Sequence, residues 1–176
     1  MISAICGSPR KGNTEQMIKV ILNSAKSNGA KTELILLREK KIEHCRGCSK
    51  CQETPYKCVI PDDMEEINHK LKESDILIFG SPTYFDNVSG LFKDFIDRTH
   101  PLYPQRALKN KKALVCCIGG GSIKTVGKAA EAIQNFCKIY KMEVMEKICI
   151  TNEDVGGNAA KLRKLGEGLD ENNRIY

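Results

Sequence analysis

Met1-Ile2-Ser3-Ala4-Ile5-Cys6-Gly7-Ser8-Pro9-Arg10-Lys11-Gly12-Asn13-Thr14 opens the chain with an apolar run, a turn of small and polar residues, and the first residue of a helical period. A short apolar run bounded by Gly and Pro reads as a strand buried on both faces. Beyond it Met17, Val20, Ile21 and Ala25 recur at three- and four-residue steps, as a helix covering a sheet requires. The segment is therefore a strand-loop-helix unit, and its loop suits a phosphate monoester. Amides at a helix start point outward without partners and the helix dipole favours an anion there, while the hydroxyls of Ser8 and Thr14 can donate and Arg10 and Lys11 add charge-assisted contacts. The loop lacks the closing Gly-Lys-Ser/Thr of a P-loop and the Gly-x-Gly-x-x-Gly of a dinucleotide fold, which disfavours a nucleoside triphosphate or a tightly held NAD.

The same alternation continues outward. Apolar runs at Met1 to Cys6, Thr32 to Leu37, Asp75 to Gly80, Ala113 to Ile118 and Glu143 to Ile150 predict five strands. Helical stretches at Thr14 to Ser27, Met64 to Lys72, Ser89 to Arg98, Val126 to Tyr140 and Asn158 to Glu171 follow them in turn. Near-continuous Val/Ile/Leu strands alternating with helices imply a parallel sheet covered on both faces, and right-handed crossovers narrow it to a doubly wound α/β sandwich. Ligands of such sheets sit beyond the carboxyl ends of the strands at the topological switch point, so the loops after the first, third and fourth strands are the ones to watch. Within the helical run after Ser89, Leu91, Phe92, Phe95 and Ile96 have core spacing, whereas Tyr84 and Phe85 lie in a loop where packing alone does not account for an aromatic pair.

The segment from Arg38 to Pro61 is longer than an ordinary connection. It carries Cys45, Cys48 and Cys51 at two successive Cys-x2-Cys steps, followed by Cys58, so four of the nine cysteines fall within fourteen positions. Such a loop can curl three thiolates round one corner of a [4Fe-4S] cubane with the fourth closing the site. Two other readings stand beside this one: structural zinc, although zinc prefers two separated cysteine pairs, and redox-active thiols whose pKa is lowered by Arg46, Lys50 and Lys57. Cys6, Cys137 and Cys149 sit among apolar neighbours and read as core. Cys116 and Cys117 are adjacent on one strand, point to opposite faces, and cannot share a metal. His44, His69 and His100 have no ligand spacing to one another and read as surface or hydrogen-bonding residues.

At 176 residues the chain fits a single domain spanning 1–176 with the cysteine-rich loop at 38–61. The odd cysteine count, and Met1 leading straight into a strand without a signal segment, predict a reducing cytoplasm. No apolar run approaches the roughly 20 residues of a membrane span. The 28 Lys and Arg against 22 Asp and Glu leave a net charge of +6 without a basic block interleaved with aromatics, so nucleic acid is not expected as a partner. A mild attraction for anionic cofactors or an acidic electron-transfer partner is compatible with that charge.

Together with Gly80-Ser81-Pro82-Thr83-Tyr84-Phe85-Asp86-Asn87-Val88-Ser89-Gly90-Leu91-Phe92-Lys93-Asp94-Phe95-Ile96-Asp97-Arg98, the first loop resembles the NADPH-dependent FMN reductase-like branch of the flavodoxin-like superfamily over most of the chain. The resemblance implies a five-stranded parallel sheet of order 2-1-3-4-5. It also implies an FMN phosphate held by Ser8, Arg10, Lys11, Gly12, Asn13 and Thr14, with the flavin ring along Pro82, Thr83, Tyr84, Phe85 and Asn87. Gly119, Gly120 and Gly121 would let a third stretch of backbone approach the ring, because no side chain intervenes. With its cysteine motif the chain resembles the iron–sulfur flavoproteins in particular, whose fourth cysteine comes four to seven residues after the third. Here six residues separate Cys51 from Cys58.

This second resemblance implies an electron-transfer flavoprotein with FMN and a [4Fe-4S] cluster at Cys45, Cys48, Cys51 and Cys58. It would link a low-potential ferredoxin-like donor to an acceptor such as oxygen or peroxide, as a homodimer or homotetramer. No side chain is required as a general acid. The alternative is an NAD(P)H-dependent FMN or quinone reductase whose cysteines are structural or redox-active thiols.

Overall fold

The computed structural model describes residues 1–151 and 154–169. Five strands form one sheet: β1 (Ile2–Cys6), β2 (Thr32–Leu36), β3 (Ile76–Pro82), β4 (Lys112–Gly119) and β5 (Glu143–Thr151). Their order is β2-β1-β3-β4-β5 and every pairing is parallel. The strands expected from the apolar runs are all present. Five helices alternate with them: α1 (Asn13–Ser27), α2 (Met64–Glu73), α3 (Gly90–Arg98), α4 (Ile123–Ile139) and α5 (Ala159–Glu167). The expected end of the last helix, Glu171, lies outside the described residues.

The period-two alternation of the strands divides the core in two. Ile5, Leu77, Phe79, Val115 and Cys117 point to the face covered by α2, α3 and α4. Ala4, Cys6, Ile78, Leu114 and Cys116 point to the opposite face, under α1 and α5. Cys116 and Cys117 thus lie on opposite sides of β4, as their adjacency requires. On the first face Phe79 meets Phe136 edge-on at 5.5 Å, and Phe92 and Phe95 pack at 5.4 Å, an arrangement that ring quadrupoles favour. Leu91 and Ile96 are half-buried against this cluster. Cys149 is less enclosed than expected because β5 is an edge strand with a neighbour on one side only.

Boundaries differ from the expected ones where polar residues blur the pattern. β3 runs two residues past the expected Gly80, so that Pro82, at the start of the following loop, still pairs with Ile118. α4 starts at Ile123, three residues ahead of Val126, because Ser122 caps it by accepting a hydrogen bond from the Thr125 amide at 3.3 Å. The chain leaves β1 toward β2 on one side and returns as β3 on the other. The topological switch point therefore lies at the carboxyl ends of β1 and β3.

Candidate functional site

Three loops meet at that switch point and are tied together by the backbone. The Gly7 amide donates to the Gly80 carbonyl at 2.8 Å, and the Ser89 hydroxyl donates to the Gly7 carbonyl at 2.6 Å. The same Ser89 oxygen accepts from the Phe92 amide at 3.2 Å and so caps α3. A Cβ on Gly7 would stand 2.5 Å from Cδ2 of the buried Phe92, so only glycine lets the first loop lie this close to α3. The Thr83 amide reaches the Ile118 carbonyl at 2.9 Å and joins the third-strand loop to the end of β4.

A small cleft results. It is lined by Ser8, Arg10, Asn13 and Thr14 from the first loop, Pro82, Thr83 and Tyr84 from the second, and Gly119 and Gly120 from the third. Nine of the residues singled out in the sequence converge there, joined by Ile118, which reads as core from sequence because it ends an apolar strand. Lys11, Gly12, Phe85, Asn87 and Gly121 belong to the same three loops but do not line the cleft. Gly12 occupies the N-cap of α1, where it offers no side chain, and the helix is left without a side-chain cap. Ser8, almost fully buried, turns its hydroxyl into the loop and donates to the Arg10 carbonyl at 2.7 Å. Thr83 Oγ1 is buried and has no hydrogen-bond partner among the described residues. An orphaned hydroxyl on the wall of a cleft marks a place for a polar ligand atom.

Tyr84 to Asn87 form a tight reverse turn, with Tyr84 N to Asn87 O at 2.8 Å and Asn87 N to Tyr84 O at 3.0 Å. Its central residues Phe85 and Asp86 have φ of 47° and 60°. Both central residues are thus left-handed, a conformation that usually demands Gly or Asn. The Phe85 ring is fully exposed and Tyr84 is 42% exposed, so two aromatics stand beside the cleft without packing partners to account for them. Asp86 is tied to Lys128 of α4 by an ion pair.

The cysteine loop lies on the α2-α3-α4 side. Its ends are fastened by a buried ion pair: Arg98 Nη1 and Nη2 meet Asp62 Oδ2 and Oδ1 at 2.6 and 2.8 Å. Arg98 also donates to the Glu43 carbonyl at 2.6 Å, and the Asp62 carboxylate accepts the amides of Glu43 at 2.9 Å and Met64 at 3.1 Å. Residues 43 and 62 thus close a ring around the segment containing all four cysteines. Burial alone would push the Asp62 carboxyl up, but the Arg98 guanidinium and the two amides outweigh it and hold the group below the usual carboxylate range.

Cys45 and Cys48 are exposed, Cys51 and Cys58 partly buried, and all four thiols are free. Among the described residues no three of His, Cys, Asp or Glu already stand at metal-binding distances. The thiols nevertheless feel one another: burial first, and then the charges of Cys58, Cys45 and Cys48, raise Cys51 above its ordinary value. Gly47 and Ser49, with φ of 63° and 58°, supply the sharp bends of the loop. Cys6, Cys116, Cys117 and Cys137 are buried core residues, with Cys137 raised by burial to about 12, and Cys149 is partly buried against the core. Of the histidines, His44 hydrogen-bonds Asp94 at 2.7 Å, and His69, on the surface, lies 3.3 Å from the Glu73 carboxylate. His100 Nδ1 lies 3.2 Å from Cys51 Sγ, a contact that a separation of 49 residues hides from sequence reading.

A doubly wound sheet of order 2-1-3-4-5 with a cleft at its switch point defines a flavodoxin-like protein, and the flavodoxin of Megasphaera elsdenii superposes with a TM-score of 0.63 at 20% identity, covering 95% of this chain and 96% of that one. Within that class, the chain belongs to the NADPH-dependent FMN reductase family, whose profile matches residues 1–155. Two relatives are named iron-sulfur flavoproteins. One, from Methanocaldococcus jannaschii, is 39% identical over 149 residues, 82% of this chain and 75% of the relative. The other, from Methanosarcina thermophila, is 34% identical over 146 residues, 82% of this chain and 76% of the relative. The chain is accordingly a flavoprotein oxidoreductase.

Proposed function

We propose that the protein relays electrons between a low-potential, ferredoxin-like donor and an acceptor, using FMN at the switch-point cleft and a [4Fe-4S] cluster held by Cys45, Cys48, Cys51 and Cys58. The residues fit the first group: an uncapped helix start, the Arg10 side chain at the cleft, and the orphaned Thr83 hydroxyl on its wall suit a flavin phosphate below a polar ring edge. They also fit the second. Four free thiols, the donor set a [4Fe-4S] cluster takes, lie in one loop closed at residues 43 and 62. The observation that supports the reading is one loop carrying four free thiols, closed at its base by the Arg98–Asp62 pair, in a chain that also has the flavodoxin-like cleft.

When bound, FMN supplies one- or two-electron redox chemistry and the cluster supplies one-electron steps, so the pair interconverts the two kinds of traffic. The protein's part is positioning. Ser8, Arg10, Lys11, Gly12, Asn13 and Thr14 receive the phosphate, with the amides of the first turn of α1 and the Arg10 guanidinium meeting its charge. Pro82, Thr83, Tyr84, Phe85 and Asn87 would hold the ring, and Gly119, Gly120 and Gly121 would let the backbone of the third loop approach it. Tyr84 and Phe85 exclude water from the ring's face. No residue has to move a proton in the relay.

The family's description favours one second reading, an NAD(P)H-dependent FMN or quinone reductase with structural or redox-active thiols. Iron, acid-labile sulfide and FMN measured on protein purified without oxygen separate the two. The relay requires about four iron and four sulfide per chain together with FMN. In Cys48→Ala the metal and ferredoxin-linked reduction should vanish while FMN stays bound. FMN without iron, even after anaerobic reconstitution, combined with rapid bleaching by NADPH, would overturn the relay.

A further inference from the structure

The cysteine loop faces a cavity of about 590 Å³ whose far wall is apolar, formed by Ile96 of α3 and by Phe136, Ile139 and Tyr140 at the end of α4. Two of the four thiols, Cys45 and Cys51, open onto this cavity, and so does a single imidazole, that of His100. The other histidines are committed elsewhere, His44 to Asp94 and His69 to Glu73. His100 alone among them meets a loop thiol among the described residues, with Nδ1 3.2 Å from Cys51 Sγ.

The position of that ring is strongly determined. His100 lies two residues beyond Arg98, whose guanidinium is locked into the base of the loop. It opens a 3-10 turn, His100–Leu102, in which Pro101 restricts the backbone, and the turn closes by Leu102 N to Thr99 O at 2.9 Å and Tyr103 N to His100 O at 3.0 Å. Thr99 is itself pinned by the Tyr140 hydroxyl, which donates to its carbonyl at 2.8 Å. The Tyr103 ring flanks the imidazole at 5.9 Å between centroids. The backbone beneath the imidazole is thus fixed, and the ring itself is met by Tyr103 and by the Cys51 sulfur.

We propose that His100 is a positioning residue that donates its Nδ1–H to the Cys51 sulfur and thereby raises the reduction potential of the cluster. This rests on the reading of Cys45, Cys48, Cys51 and Cys58 as cluster ligands. A free thiol can be donor or acceptor toward an imidazole nitrogen. A sulfur bound to iron has no proton, so the bond persists only with Nδ1–H as donor and fixes the tautomer. The donor draws electron density from the sulfur. Because the reduced cluster carries one more negative charge than the oxidised one, the bond stabilises the reduced form more.

The test uses anaerobic holoprotein with FMN and iron quantified. Potentiometric titration followed by electron paramagnetic resonance should show the cluster midpoint of His100→Leu shifted to more negative potential at full iron content. His100→Asn, which keeps an N–H near the Nδ1 position, should recover most of the shift, and the FMN midpoint should stay put in both. An unchanged cluster midpoint in a fully loaded His100→Leu would overturn the inference. If that variant does not load, the parent protein decides: with 15N-labelled histidine, pulsed resonance on the reduced cluster should detect one weakly coupled imidazole nitrogen. Iron present without that coupling refutes the role of His100 alone. Iron absent from the reconstituted parent refutes the cluster reading and this inference with it.

Discussion

Phe85 combines two properties that folding does not reward: a left-handed backbone, φ 47°, and a phenyl ring wholly in solvent. The first costs about 1–2 kcal/mol for an L-residue, and the second recovers none of it by burial. Such a residue persists where something other than stability selects it. Phe85→Asn, which accepts the same backbone more readily, should therefore raise the stability of FMN-free protein by about 1 kcal/mol while weakening FMN binding. Urea denaturation and fluorescence titration with FMN measure the two effects, and unaltered affinity would remove Phe85 from the ring site. The aromatic pair was legible in the sequence because a loop gives it nothing to pack on. Its strained turn was not, because Phe-Asp lacks the Asn-Gly signature that announces two left-handed residues in succession.

At the scale of elements, α3 joins the two candidate sites. Ser89 at its start holds the first loop through the Gly7 carbonyl, and Arg98 at its end holds the base of the cysteine loop. Its nine residues make a strut of about 14 Å at ~1.5 Å per residue. The Asp62 side chain paired with Arg98 is 0% exposed and that of Arg98 is 1%. Removing one charge from such a pair leaves the other buried and uncompensated, and Asp62→Asn should cost about 3–5 kcal/mol. The pair also fixes a pH dependence. A carboxyl held below its unfolded value contributes stability that is fully present above about pH 4 and is lost as the pH falls through the depressed folded value. Urea midpoints at neutral pH and near about pH 3 should thus converge between wild type and Asp62→Asn, and a constant gap between them would disprove the assignment. The helices and strands themselves were legible because their periods are continuous over many residues. Neither the clamp nor the contact of His100 with Cys51 was, since 36 and 49 positions separate the partners and no local pattern links them.

The whole molecule carries a net charge of +6, its lysines and arginines spread along the sequence and not gathered into a single block. Such a field would attract the acidic donor proposed above and would be screened by salt. Reduction through an acidic ferredoxin should slow severalfold as salt rises from about 50 to about 500 mM, measured by flavin bleaching in a stopped-flow instrument. A salt-independent rate would argue against steered docking of such a donor. No helix among the described residues is long and apolar enough to cross a membrane. The outline of the cysteine loop is drawn by Glu43, Asp62 and Arg98 and not by the cysteines it encloses. Under the proposed relay, a chain that had lost its cluster would keep the base of this socket fastened through Arg98 and Asp62, and with it the opening through which iron could return.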